Sequence, residues 1–150
     1  MNIRSLFVTT RSAKLQRLTI LRDRFANDVP DDGFRYDRYV SHYSAKDKCG
    51  TVCCIAGWLP MIFPKVFKWL QVGGYFIVKI HRMSTNNYHS QIRRFFGMNK
   101  NTYAYIFEGK ALELDGRTMY PAVRNMRKVT KLAAIKRIDN VIELVNEGSL

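Results

Sequence analysis

The sequence predicts a mainly α protein, a compact helical bundle with a minor two-stranded β element, and α+β is the alternative arrangement. Three observations carry that expectation. Apolar residues recur at helical spacing over several segments, and capping residues and glycines punctuate those segments. One run, Tyr75 to Ile80, is rich in the aromatic and β-branched residues that favour strands. A chain of 150 residues, 47% hydrophobic and 13% aromatic, has the size of one domain (1–150) with a well-filled core.

Residues 11–27 read as the first helix, with Leu15, Leu18, Leu21 and Phe25 on one face and Thr10 or Ser12 as its cap. The run Asn27 to Gly33, with Pro30 inside it, ends that helix. Tyr36, Tyr39 and Val40 suggest a short aromatic turn. A buried helix follows, opened by Gly50 and capped by Thr51, with Pro60 and Pro64 interrupting it. Lys65 to Gln71 is expected to be a short helix that Gly73-Gly74 stops. Tyr75–Ile80 is the main strand. Residues 88–96 form a helix with Ile92, Phe95 and Phe96 inward and Gly97 as its C-terminal cap. Asn99 or Asn101 caps the next helix, which carries Tyr103, Ile106 and Phe107. Lys110–Leu114, before an Asp115-Gly116 turn, is the expected partner of strand 75–80. Pro121 opens a helix to about Lys128. Thr130 caps the clearest helix, whose stripe is Ile135, Ile138, Val141, Ile142 and Val145, while Lys131, Lys136, Asp139, Glu143 and Glu147 face water and Gly148 stops it.

Charge narrows the classes of partner. The chain carries 25 Lys and Arg against 12 Asp and Glu, a net +13. No acid occurs between Asp47 and Glu108. Such a balance favours a polyanionic partner, either nucleic acid or an acidic protein face. No apolar run approaches the roughly 20 residues that span a bilayer, so no membrane partner is expected. The start, Met1-Asn2-Ile3-Arg4, does not read as a signal peptide. Three cysteines, two of them adjacent at Cys53 and Cys54, read as reduced thiols in a cytoplasm, that of the host if the protein is viral.

The segment Cys49-Gly50-Thr51-Val52-Cys53-Cys54-Ile55-Ala56-Gly57-Trp58 resembles a loose group of small bacterial and bacteriophage proteins with a Cys-Gly-Thr-x-x-Cys-x-Ala-Gly pattern followed by His or Trp. Arg94-Phe95-Phe96-Gly97-Met98 is similar to their Phe-Phe-Gly-Leu helix end, and Tyr103 to Phe107 to the aromatic helix after it. The resemblance spans residues 12 to 107 and implies a phage or prokaryotic origin without implying a reaction. Members with His after Ala-Gly differ from this chain, which has Trp58 there.

Chemistry-bearing patterns are few. Cys49 and Cys53, with His42, His81 or His89, have the ligand types for zinc, but no second cysteine pair completes a structural site. Cys49 ahead of a helix start, with His42 and Asp47, has the composition of a nucleophile, base and orienter, yet packing explains these cysteines more simply. Gly73-Gly74 lacks the rest of a phosphate loop. The acid-free middle lacks the carboxylates that magnesium chemistry needs, and Asp28, Asp31 and Asp32 read as loop residues. The expectation is therefore no catalytic residue, no metal and no cofactor.

What remains is binding. Lys79, Arg82, Arg93 and Arg94 form the expected phosphate-contacting patch, interleaved with Tyr75, Asn86, Asn87, Tyr88 and Asn101. Arg124, Arg127, Lys128 and Lys131, with Arg137 nearby, form a second. The sequence reading is a non-enzymatic nucleic-acid-binding protein. Its alternatives are a phage factor that inhibits or retargets a host protein, and a virion component.

Overall fold

The computed structural model describes residues 6–7, 10–34, 54–72, 75–81, 83 and 88–150. Among these residues the fold is mainly α, with five α-helices and two antiparallel two-stranded sheets. Helix α1 (Arg11–Asp28) starts where the Thr10 hydroxyl accepts from Ala13 N, and it buries Leu18, Leu21 and Phe25. Helix α5 (Lys131–Glu147) starts in the same way at Thr130, whose hydroxyl accepts from Ala133 N. The two helices run antiparallel, and a basic side chain latches each end of the pair. Arg11 Nε donates to Val145 O at 2.6 Å, and its Nη2 donates to Asn146 O, at the end of α5. At the other end, Lys131 Nζ donates to Ala26 O and Val29 O, both at 2.9 Å, where α1 finishes. A cation at a helix C-terminus meets unpaired carbonyls and the negative end of the dipole.

Helix α2 (Ile55–Ile62) is buried at nearly every position, as a helix that is apolar all round must be. It begins after Cys54. The cap expected at Thr51 and the turn at Gly50 lie outside the described residues, as does the aromatic turn expected at Tyr36–Val40. Pro60 sits inside α2 and does not end it. Trp58 Nε1 donates to Gly33 O at 3.0 Å, which ties α2 to the short 3-10 turn Asp31–Gly33 that follows α1.

The expected helix at Lys65–Gln71 is a strand. Strand β1 (Phe67–Val72) pairs with β2 (Tyr75–Ile80), from Phe67 opposite Ile80 to Val72 opposite Tyr75. The Phe67-Lys68-Trp69-Leu70-Gln71-Val72 segment is aromatic and β-branched, and two glycines between such runs are a hairpin signal as well as a helix stop. With β1 as its local partner, β2 does not pair with residues 110–114. Those form β3 (Leu112–Leu114), which pairs with β4 (Arg117–Tyr120) across Asp115 and Gly116. Both turn residues have positive φ, 51° and 74°, the signature of a type I′ turn.

Helix α3 (Tyr88–Phe95) packs on β2, where Gln91 Oε1 accepts from Ile80 N at 3.2 Å. Phe95 stands edge-to-face with Phe63, Phe67 and Phe96, at centroid distances of 5.2, 5.0 and 4.9 Å. Helix α4 (Lys100–Glu108) is capped by Asn99, whose side chain accepts from Thr102 N. The expected helix 121–128 does not form. Val123 N donates to Gly109 O at 2.8 Å, and the Asn125 side chain accepts from Arg127 N in a local turn. Val123, Met126 and Val129 pack on the core at a spacing of three, which imitates a helical stripe.

Candidate nucleic-acid interface

The basic side chains divide into those held by the fold and those left on its surface. Four are held by backbone carbonyls. Arg11 and Lys131 latch the α1–α5 pair. Arg17 donates to Leu6 O and Phe95 O, with its guanidinium 4.0 Å from the Phe95 ring centroid. Arg137 is buried, donates to Tyr105 O, Pro121 O and Lys110 O, and lies 3.7 Å from the Tyr105 centroid.

Two residues of the expected second patch are therefore reassigned. Lys131 is bound to two carbonyls and to Asp31 at 2.9 Å, with its side chain 16% exposed, and Arg137 is a core residue. Arg124, Arg127 and Lys128 remain exposed along 121–129. An open pocket of about 420 Å³ lies where Arg127, Lys128 and Lys131 meet Thr130, with Asp31 on its wall. The carboxylate there offsets part of the positive charge.

In the first patch, Lys79 is half-buried on β2, directly opposite Lys68 of β1. Arg82 lies outside the described residues. Arg93 and Arg94 occupy the last turn of α3, where cations oppose the negative helix end. Arg94 is exposed and stacks 4.0 Å from the Phe7 centroid. Arg93 is half-buried and points to a feature that the sequence reading passed over.

That feature is a cleft of about 500 Å³ between α3 and α4, lined by His89, Ser90, Arg93, Lys100, Tyr103, Ala104 and Glu108. Lys100, Tyr103, Ala104 and Glu108 recur at helical spacing and so share one face of α4. The spacing was visible in the sequence, but the partner face on α3 was not. The two helices join through a short turn, so the end of α3 meets the start of α4. Arg93 and Lys100 lie at that end, and His89 and Glu108 at the other.

His89 Nδ1 and the Tyr103 hydroxyl are 2.6 Å apart, and His89 Nδ1 lies 4.0 Å from Glu108 Oε1. Burial pushes the Tyr103 phenol well above the usual tyrosine range, so its hydroxyl keeps its proton. Partial burial lowers the His89 pKa, opposed by the Glu108 carboxylate, and the imidazole is neutral at neutral pH. Tyr88 covers one side of the imidazole at a centroid distance of 4.0 Å, and Tyr103 meets its edge at 5.6 Å.

Cys54 is buried, and desolvation pushes its thiol up to about 11, which keeps it protonated near neutrality. Cys49, Cys53 and His42, named above for zinc or nucleophilic chemistry, lie outside the described residues. Among the described residues, no three of His, Cys, Asp and Glu are grouped to hold a metal, and no helix is long and apolar enough to cross a membrane. Compared with protein-family models, curated proteins and solved structures, the chain has no match in any of the three.

Proposed function

We propose that the chain is a non-catalytic basic protein, of phage or prokaryotic origin as the Cys49–Trp58 resemblance implies, that binds nucleic acid through its outer cations. One observation carries this reading. Among the described residues the ion pairs use Arg22, Arg24 and Lys131, and none uses Lys79, Arg93, Arg94, Arg124 or Lys128. Cations without carboxylate partners, in a chain of net +13, are free to displace counterions from phosphates.

The test is fluorescence anisotropy with duplex and single-stranded probes over a salt series. Log affinity is expected to fall linearly with log salt, with a slope of several units. Arg94→Ala, Arg124→Ala and Lys128→Ala are each expected to lower that slope by about one for a phosphate contact. Absence of binding to any DNA or RNA at low salt overturns the reading.

Half-exposed Trp69, a residue type enriched at protein interface hot spots, favours the second reading, an acidic host protein as partner. That reading predicts one stoichiometric host protein in a nuclease-treated pull-down, released by Trp69→Ala.

A further inference from the structure

The α3–α4 cleft is polarised in a way that a plain phosphate-contacting surface does not need. Its two cations, Arg93 and Lys100, are at one end, and its carboxylate, Glu108, is at the other. A carboxylate repels a phosphate backbone, so Glu108 has no use on a surface that reads charge alone. It is useful where an uncharged group with N–H donors comes to rest. Between the two ends lies the His89 imidazole, 46% exposed, steadied by the Tyr103 hydroxyl and backed by Tyr88. A neutral, partly open aromatic ring held in place by its neighbours is a stacking platform.

Dimensions agree with this order of groups. Lys100 and Glu108 are separated by about 12 Å of helix rise, the scale of a nucleotide from phosphate to base edge. The volume, about 500 Å³, lies within the range of small-ligand sites and admits one nucleotide with water around it.

We infer that this cleft is a subsite for one unpaired nucleotide of a single strand, with the phosphate on Arg93 and Lys100, the base on His89 and the base edge on Glu108. Deepening the nucleic-acid reading above and resting on it, the subsite adds a preference that the outer cations cannot supply. A base inside a duplex cannot enter, so single strands bind more tightly than duplexes. The carboxylate accepts two hydrogen bonds best from a base edge with adjacent donors. Guanine, with N1–H beside its N2 amino group, meets that need, and uracil, with one N–H flanked by two carbonyls, does not.

The experiment compares the full chain with His89→Ala, Glu108→Gln and, as an outside control, Arg124→Ala. The probes are a short uridine strand, the same strand with one guanosine, the deoxy counterpart of each, and a matched duplex. The unchanged chain is expected to prefer single strands over duplex by roughly tenfold, as stacking of one base implies. His89→Ala removes that preference and leaves duplex affinity in place. Glu108→Gln removes only the guanosine preference. Arg124→Ala weakens all probes alike. Because His89 and Glu108 are both partly exposed, unchanged thermal unfolding of the two variants serves as the folding check.

Equal binding of strands and duplex, unmoved by either cleft variant, overturns the subsite while the outer-cation reading stands. Absence of binding to every probe overturns both. Capture of an acidic protein that His89→Ala releases overturns the subsite in favour of a protein ligand.

Discussion

At the scale of single residues, the chain uses arginine in two ways that sequence patterning does not separate. Arg124 and Arg137 both belong to the same basic cluster in the sequence. One is exposed, and the other donates to three backbone carbonyls beneath the Tyr105 ring. The fork of a guanidinium suits it to bridging carbonyls from α4, the turn before β3 and the 121–129 segment at once. Replacing it with methionine keeps volume and leaves those carbonyls without their donor. Arg137→Met is expected to cost about 3 kcal/mol, against a change within about 0.5 kcal/mol for Arg124→Met. Urea unfolding midpoints with unchanged slopes measure the difference, and equal effects would contradict the assignment of Arg137 to the core. Cys54 gives a second residue-scale outcome. Its thiol titrates near 9.0 unfolded and near 11 folded, so the folded state holds the proton more tightly. Stability from this group is complete below pH 9 and is lost as pH rises through 11, by roughly 2–3 kcal/mol. Cys54→Ala is expected to lessen the loss of stability between pH 9 and 11, leaving the loss at higher pH that the buried Tyr103 phenol contributes. An unchanged loss between pH 9 and 11 in that variant would assign it to other groups.

At the scale of elements, legibility followed local signals. Thr10, Asn99 and Thr130 cap the helices they were expected to cap, because an N-cap is a bond between residues three apart. Phe95 and Phe96 are buried as the 88–96 periodicity required. The departures fall where one signal has two meanings: Gly73-Gly74 stops a helix or turns a hairpin, and Pro121 opens a helix or an irregular segment. Partners outside each segment decide both cases: the adjacent strand β2 for residues 67–72, and Gly109 for Val123. The α3–α4 cleft was illegible for the same reason, since each of its faces is ordinary until the other is set against it. Gly109 tests how firmly residues 121–129 are held. Its φ is +68°, and a Cβ there would stand 2.8 Å from Met126 Sδ. At Gly116 φ is +74° and nothing lies within 4 Å, so alanine there meets only the backbone cost of about 1–2 kcal/mol. Gly109→Ala is expected to cost more than Gly116→Ala. It should also speed hydrogen exchange at Val123, whose N–H donates to Gly109 O. Equal costs for the two variants would mean that Met126 moves aside freely.

At the scale of the whole molecule, the net charge of +13 has a consequence independent of any partner. Arg17 and Arg137 are satisfied by carbonyls, which contribute dipoles but no opposing unit charge. The excess therefore persists after folding and acts against the compact state. Raising salt shortens the screening length to about 8–10 Å and relieves that repulsion. The melting temperature is expected to rise between low and physiological salt, by about 2–4 °C for each kcal/mol relieved. A chain stabilised mainly by surface ion pairs would show the opposite sign. Inorganic polyphosphate, at matched ionic strength, is expected to raise it further, because a polyanion that engages the folded surface stabilises by mass action. Calorimetry across the salt series reads the screening effect, and the polyphosphate arm reads the engagement. A melting temperature that falls with salt would mean that the outer cations are already compensated, and nucleic-acid binding would lose the observation on which it rests. A rise with salt and no added effect of polyphosphate would separate the two ideas. Repulsion would then be real, but the exposed cations would be too dispersed to hold a polyanion. The cleft between α3 and α4, lined by Arg93 and Lys100, and the pocket lined by Arg127, Lys128 and Lys131 would then be the places to look for a bound phosphate.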